Sequence, residues 1–296
     1  MARTNQEKPA MTDWTLATIN ALMMRHALAV KVMAARPLTG GFWNTVLHLT
    51  TDQGDMVFKH YRPMPDNSLF PNLPADEAMA LDRLKGLNVA PDLVAFVPAE
   101  DVLIYRFLPG PEWQNDVVAA ALLMRRQSHA DPTGFRPVPT TAAAILAEAD
   151  QILSRCTEDA TTRQLHQCRP VPQQHAAGPT CLIHTDAAPA NMIGQGTDLR
   201  LIDWQCPAAG DLAQDVATLF SPAFLTLYNR PLLSTLQRHL FLQTLGDPDL
   251  SERLSAVEPA YAWRLACYCA HRMQTTANAD LALRYRRAAL AQSQPK

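Results

Sequence analysis

The chain has 296 residues, 48% hydrophobic and 18% charged, with a formal net charge of −2. This length and balance describe a folded protein with a sizeable core and exclude a disordered one, and the lack of basic excess argues against a nucleic-acid ligand. The N-terminal M-A-R-T-N-Q-E-K-P-A is polar, no stretch approaches the ~20 apolar residues of a membrane span, and the six cysteines form no C-x-x-C pair, so a cytoplasmic protein with reduced thiols and no membrane partner is expected.

Taking the elements in order, Thr12 or Asp13 can cap a first helix whose apolar residues Leu16, Ile19, Leu22 and Met23 recur at helical spacing. A Gly-containing link with Gly40 and Gly41 then leads into V-L-H-L-T, a turn over 51–54, and D-M-V-F-K-H-Y, which together read as a β-hairpin. Adjacent glycines suit an ordinary turn, and equally a loop that brings backbone N–H groups close to phosphates. Strand alternation puts Met56 and Phe58 on one face and Val57 and Lys59 on the other. A helix is expected over 75–87, carrying Glu77 and stopped near Gly86. The strand V-L-I-Y-R-F-L-P-G breaks at Pro109-Gly110, which marks a boundary between a sheet-containing domain, 1–107, and a mostly helical one, 108–296. Helices are expected over 115–129 and 141–156, with irregular chain from 168 to 180.

The most informative stretch follows, L-I-H-T-D-A-A-P-A-N-M-I-G-Q-G-T-D-L-R-L-I-D. Two short apolar runs bracket a polar loop in which His184, Asp186 and Asn191 fit H-x-D-x-x-x-x-N, with Asp203 after one more strand. This spacing suits phosphoryl transfer. A carboxylate must meet the acceptor hydroxyl while an amide oxygen and a second carboxylate hold Mg²⁺. His184, Asp186, Pro189 and Asn191, followed by Ile202-Asp203-Trp204 and by Gly210-Asp211 with Asp215, resemble the motifs of the aminoglycoside phosphotransferase and choline kinase family. Thr185 stands where that family usually has Gly, and Gln205 where many relatives carry an acid.

The resemblance implies a two-lobed, protein-kinase-like α+β fold, with a small antiparallel sheet in the N-lobe and a mostly helical C-lobe. It implies ATP and Mg²⁺ as cofactors, Asp186 as the catalytic base, Asn191 and Asp203 as metal ligands, and Lys59 with Gly40 and Gly41 at the phosphates. Glu77 would pair with the lysine, and backbone groups over Arg106, Phe107 and Leu108 would recognise adenine. His184 is expected to brace the loop, and Asp211 to cap a helix over 212–220 with Gln214 completing a capping box. The expected acceptor is a small-molecule hydroxyl, most like choline or ethanolamine, with sugars, homoserine and aminoglycosides as alternatives and a non-catalytic nucleotide-binding pseudokinase as the rival. Tyr261 and Tyr268, seven apart on one helix face, are candidate walls of a cation cage, or equally core residues.

Overall fold

The computed structural model describes residues 14–38, 44–63, 67 and 69–291. Gly40 and Gly41, with the caps anticipated at Thr12 and Asp13, lie outside the described residues. The chain divides into two compact units, Met1–Pro63 with Leu93–Phe107, and Met64–Asp92 with Leu108–Lys296.

In the first unit, α1 (Leu16–Arg25) starts at Thr15, which exchanges hydrogen bonds with Thr18 in a capping box. Five strands follow: β1 (Val32–Pro37), β2 (Thr45–Thr51), β3 (Met56–His60), β4 (Leu93–Val97) and β5 (Val102–Arg106). They form one antiparallel sheet in the order β1-β2-β3-β5-β4. The expected hairpin joins β2 to β3, where Thr51 Oγ1 donates to the Gly54 carbonyl at 2.6 Å and Gly54 takes φ +92°. Alternate residues build the core: Leu47, Leu49, Met56, Phe58, Val102 and Ile104 pack with Ile19, Leu22 and Met23 of α1. Burial of a side chain such as Phe58 contributes roughly 1.5–3 kcal/mol. Val57 and Lys59 take the opposite face of β3, with Lys59 aligned between Val46 and Leu103.

The second unit contains α2 (Pro74–Arg83), α3 (Val117–Gln127), α4 (Ala142–Leu153), α5 (Ala160–Gln167), α6 (Ala213–Phe220), α7 (Pro222–Leu227), α8 (Thr235–Leu245), α9 (Leu250–Thr275) and α10 (Ala279–Ala291). Two short antiparallel pairs interrupt the helices, β6 (Cys181–Ile183) with β9 (Ala208–Gly210), and β7 (Met192–Ile193) with β8 (Arg200–Leu201). The 26-residue α9 is the axis: α4, α5, α6, α7 and α10 all pack against it. The face of α4 turned inward, Ala142, Ile145, Leu146, Ala149, Ile152 and Leu153, has helical spacing, and Trp263 of α9 donates its indole N–H to the Leu165 carbonyl at 2.9 Å.

Three elements differ from expectation. Residues 64–92, assigned from sequence to the first domain, group with the second unit: Leu73 N–H donates to the Gln205 carbonyl at 3.0 Å, Arg83 pairs with Asp131 at 2.9 Å, and Leu201 N–H donates to the Val89 carbonyl at 2.8 Å. α5 was not anticipated, since its eight residues are mostly polar; it forms behind a reciprocal Asp159–Thr162 cap. Asp211 does not complete a capping box with Gln214, because its carboxylate is turned to Arg253. No helix among the described residues is long and apolar enough to cross a membrane.

Candidate active site

The loop after β6 is held from behind. Asp215, fully buried in the first turn of α6, accepts the backbone N–H of His184 on Oδ2 and that of Thr185 on Oδ1, both at 2.8 Å. Gln127 of α3 donates to the same Oδ2 at 2.6 Å and to the Leu182 carbonyl at 3.3 Å. Burial raises the Asp215 pKa, and His184 and the three donors oppose that rise. His184 is itself buried, hydrogen-bonded through Nε2 to the Ile202 carbonyl at 2.9 Å and set edge-on to Trp204 with centroids 4.6 Å apart. Its surroundings are those of a brace between two strands.

Thr185 takes φ +66°, a left-handed conformation costing a β-branched residue about 1–3 kcal/mol. Asn191, at the end of the 3₁₀ turn that starts with Pro189, donates Nδ2 to the Asp186 carbonyl at 2.9 Å and to Asp186 Oδ2 at 3.3 Å. The other oxygen, Asp186 Oδ1, is buried with no hydrogen-bond partner. Asp203, at φ +64°, follows β8 and places a second carboxylate within electrostatic reach. Burial first, and the Asp203 charge second, push the Asp186 pKa well above the usual carboxylate range, against the pull of the Asn191 amide. The structure thus brings Asp186, Asn191 and Asp203 together.

Two like charges beside an unsatisfied buried oxygen form a place for a cation. Among the described residues no three His, Cys, Asp or Glu side chains group as a metal site. Mg²⁺ does not need one, because it takes one or two carboxylates and completes its shell with water and substrate phosphates. With Nδ2 committed to Asp186, Asn191 offers Oδ1, a hard ligand that fits the same ion.

The model of the phosphotransferase enzyme family matches residues 34–253, which take in this whole loop. The chain belongs to that family. No curated protein matches it. The phosphotransferase is similar in fold to a choline/ethanolamine kinase family protein from Mesorhizobium loti, with 15% identity over 95% of this chain and 96% of that one and a TM-score of 0.65. It is also similar to macrolide 2′-phosphotransferase from Brachybacterium faecium, with 18% identity over 95% and 98% and a TM-score of 0.58. A third likeness is to a thermostable mutant of aminoglycoside phosphotransferase APH(4)-Ia in ternary complex with AMP-PNP and hygromycin B, with 16% identity over 93% and 97% and a TM-score of 0.63.

In this phosphotransferase the remaining expected residues are distributed as follows. Lys59 is a buried residue of β3 in the first unit, its Nζ 4.9 Å from the Tyr61 ring centroid. Glu77 is buried in the first turn of α2, in the second unit. Arg106 ends β5 and donates to the Gln53 carbonyl, while Phe107 stacks edge-on against His48 at 4.5 Å. The Phe107 N–H donates to the Asp55 carbonyl at 3.1 Å, so that donor is not open to an adenine. Leu108 begins the chain's return to the second unit.

Tyr268, one of the two tyrosines anticipated from the sequence, belongs to an aromatic group in the second unit whose other members sequence reasoning missed. Phe70 meets Tyr268 edge-on at 4.9 Å and Phe224 at 6.0 Å, Phe224 meets Tyr228 at 6.0 Å, and Tyr268 meets Tyr285 at 6.5 Å. The Tyr228 and Tyr268 phenols are pushed well above their usual pKa and the Tyr285 phenol upward, by burial first, and all three sense the Asp186 charge. Their positions, spread over 215 residues from Phe70 to Tyr285, carry no pattern. Tyr261 is not among them: its ring lies 5.0 Å from the Arg264 guanidinium and its hydroxyl donates to the Pro139 carbonyl at 3.2 Å, which makes it core.

Proposed function

We propose that the chain transfers the γ-phosphoryl group of ATP to a hydroxyl of a small molecule, an amino alcohol of the choline or ethanolamine kind. The observation that carries this reading is Asp186: one carboxylate oxygen steered by Asn191, the other buried and unpartnered beside the Asp203 charge. An acceptor hydroxyl would donate to that free oxygen. As the acceptor oxygen bonds to γ-phosphorus and the bond to the ADP oxygen breaks, its proton passes to Asp186. Asn191 fixes the base from the side, and the Asp215 clamp holds the loop backbone still, so the attacking oxygen is oriented before transfer. Mg²⁺, when held by Asn191 and Asp203, would neutralise charge on the phosphates. Lys59 and the Gly40-Gly41 pair are assigned to phosphate contact by resemblance, as is Glu77 to support of the lysine.

The amino-alcohol assignment draws on the aromatic group within electrostatic reach of Asp186, since π faces attract ammonium. One observation favours a second acceptor. Arg272 lies over the Tyr285 ring at 5.9 Å, a cation beside that same group, and it would suit an acceptor with a carboxylate, such as homoserine.

The test is phosphate transfer from MgATP to choline, ethanolamine, homoserine, simple sugars and kanamycin, with Asp186→Asn alongside. Transfer to an amino alcohol, reduced about 10²–10⁴-fold in the variant with nucleotide binding retained, is expected. Undiminished transfer in Asp186→Asn would remove the base from its role. Nucleotide binding without transfer to any acceptor would favour the pseudokinase.

A further inference from the structure

Thr185 is where this chain departs from the family's loop, and its side chain is fully engaged. It is 2% exposed, and its hydroxyl donates to the Cys206 carbonyl at 2.8 Å, with Cys206 Sγ 3.2 Å from the same oxygen. The Cys206 thiol, also buried, reaches back to the His184 carbonyl at 3.8 Å, and Arg136 adds a longer contact to the Cys206 carbonyl at 3.5 Å. Thr185 immediately precedes Asp186, and Cys206 lies three residues after Asp203. A glycine in this position would adopt φ +66° without strain. The chain instead bears the cost of a β-branched residue there, and the hydroxyl bond is what that residue adds.

From this geometry we infer that Thr185 is a positioning residue for the divalent cation, tying the loop that carries Asp186 to the segment that carries Asp203. The same loop carries Asn191, and a cation held by Asn191 and Asp203 binds most tightly when the spacing of those two ligands is set beforehand. The Thr185–Cys206 bond spans the chain between them and supplies that restraint from the buried side. The inference rests on the proposed phosphotransferase site and assigns this chain's own Thr to it; Thr185 itself touches neither cation nor substrate.

The experiment measures Mn²⁺ binding in the presence of ADP, by electron paramagnetic resonance of free Mn²⁺, together with ADP binding in EDTA, for wild type, Thr185→Ser, Thr185→Val and Thr185→Gly. Serine keeps the hydroxyl and should keep the wild-type Mn²⁺ affinity. Valine and glycine should both lose about tenfold in Mn²⁺ affinity, the size of one buried hydrogen bond, while ADP binding in EDTA is unchanged. Glycine decides the matter, since it relieves the left-handed strain and folds even if valine does not. A glycine variant with wild-type Mn²⁺ affinity overturns the inference and leaves the proposed function standing. A wild type that binds neither ADP nor Mn²⁺ overturns the proposed function, and this inference with it.

Discussion

Two groups of aspartates lie within thirty residues of one another in the second unit, and the structure treats them in opposite ways. Asp211 and Asp215 are buried with their oxygens occupied: Asp211 by Arg253 at 2.9 Å and by the Ala213 N–H at 2.9 Å, Asp215 by two backbone N–H groups and Gln127. Asp186 and Asp203 face each other's charge, and Asp186 keeps one buried oxygen unpartnered. A satisfied carboxylate stabilises a fold, whereas an unsatisfied one costs stability and is retained where a ligand completes it. Structural and chemical acids are distinguished by what occupies their oxygens.

The largest effect should come from breaking the satisfied group. Arg253 is buried between Asp211 and Asp247, with 2.9 and 3.0 Å contacts. Arg253→Ala would leave Asp211 buried and uncompensated, with an expected loss of about 3–5 kcal/mol in denaturant unfolding. A loss under about 1 kcal/mol would mean that water reaches Asp211 and that the contrast with Asp186 is false. Next in size is Gly178, whose missing Cβ would lie 2.0 Å from Asp211 Oδ2 and 2.4 Å from Arg253 Nε. Gly178→Ala should cost about 1–3 kcal/mol by forcing that pair apart. Thermal unfolding at neutral pH would read it, and a neutral substitution would show the 168–180 segment free to move aside. Smaller again is Gln127→Leu, which removes one of three donors to Asp215 and should cost about 1–2 kcal/mol. If Gln127 also helps to hold the loop, phosphate transfer in this variant should fall in kcat with KM for ATP unchanged.

Much of the satisfied frame and of the open site could be read from the chain, for different reasons. The hairpin, β5 and the helices α3 and α4 follow from local alternation, spacing and caps, which is why 115–129 and 141–156 were recognisable to within a few residues. The loop carrying Asp186, Asn191 and Asp203 was recognisable because phosphoryl transfer needs those groups at close sequence spacing. Partners from distant segments left no such trace. Gln127 reaches Asp215 from 88 residues away, Asp215 reaches back 31 residues to His184, and Tyr228 senses the Asp186 charge, through α3, α6 and α7 packing that no local pattern encodes. The capping box expected at Asp211 failed for the same reason, since Arg253, 42 residues on, is the stronger partner.

The smallest expected effect has the opposite sign and is the sharpest test of the contrast. A carboxyl whose pKa is raised in the folded state binds its proton more tightly folded than unfolded. Between the unfolded pKa, about 4, and the higher folded pKa, stability therefore falls as pH rises, and it levels off above. Asp186→Asn removes that liability. It should unfold at a higher temperature than the wild type at pH 8, by a few degrees, and the gain should vanish below about pH 3, where Asp186 is protonated in both states. Mg²⁺ with ADP should raise the wild-type transition at pH 8 more than that of the variant, because the cation offsets the Asp186–Asp203 repulsion that the variant lacks. Asp215, whose oxygens are already filled, should behave in reverse: Asp215→Asn keeps one acceptor oxygen and turns an amide NH2 towards the other backbone N–H, and should be less stable than wild type at both pH values. Equal behaviour of the two substitutions would erase the distinction between a carboxylate that holds the loop and one that the loop holds open.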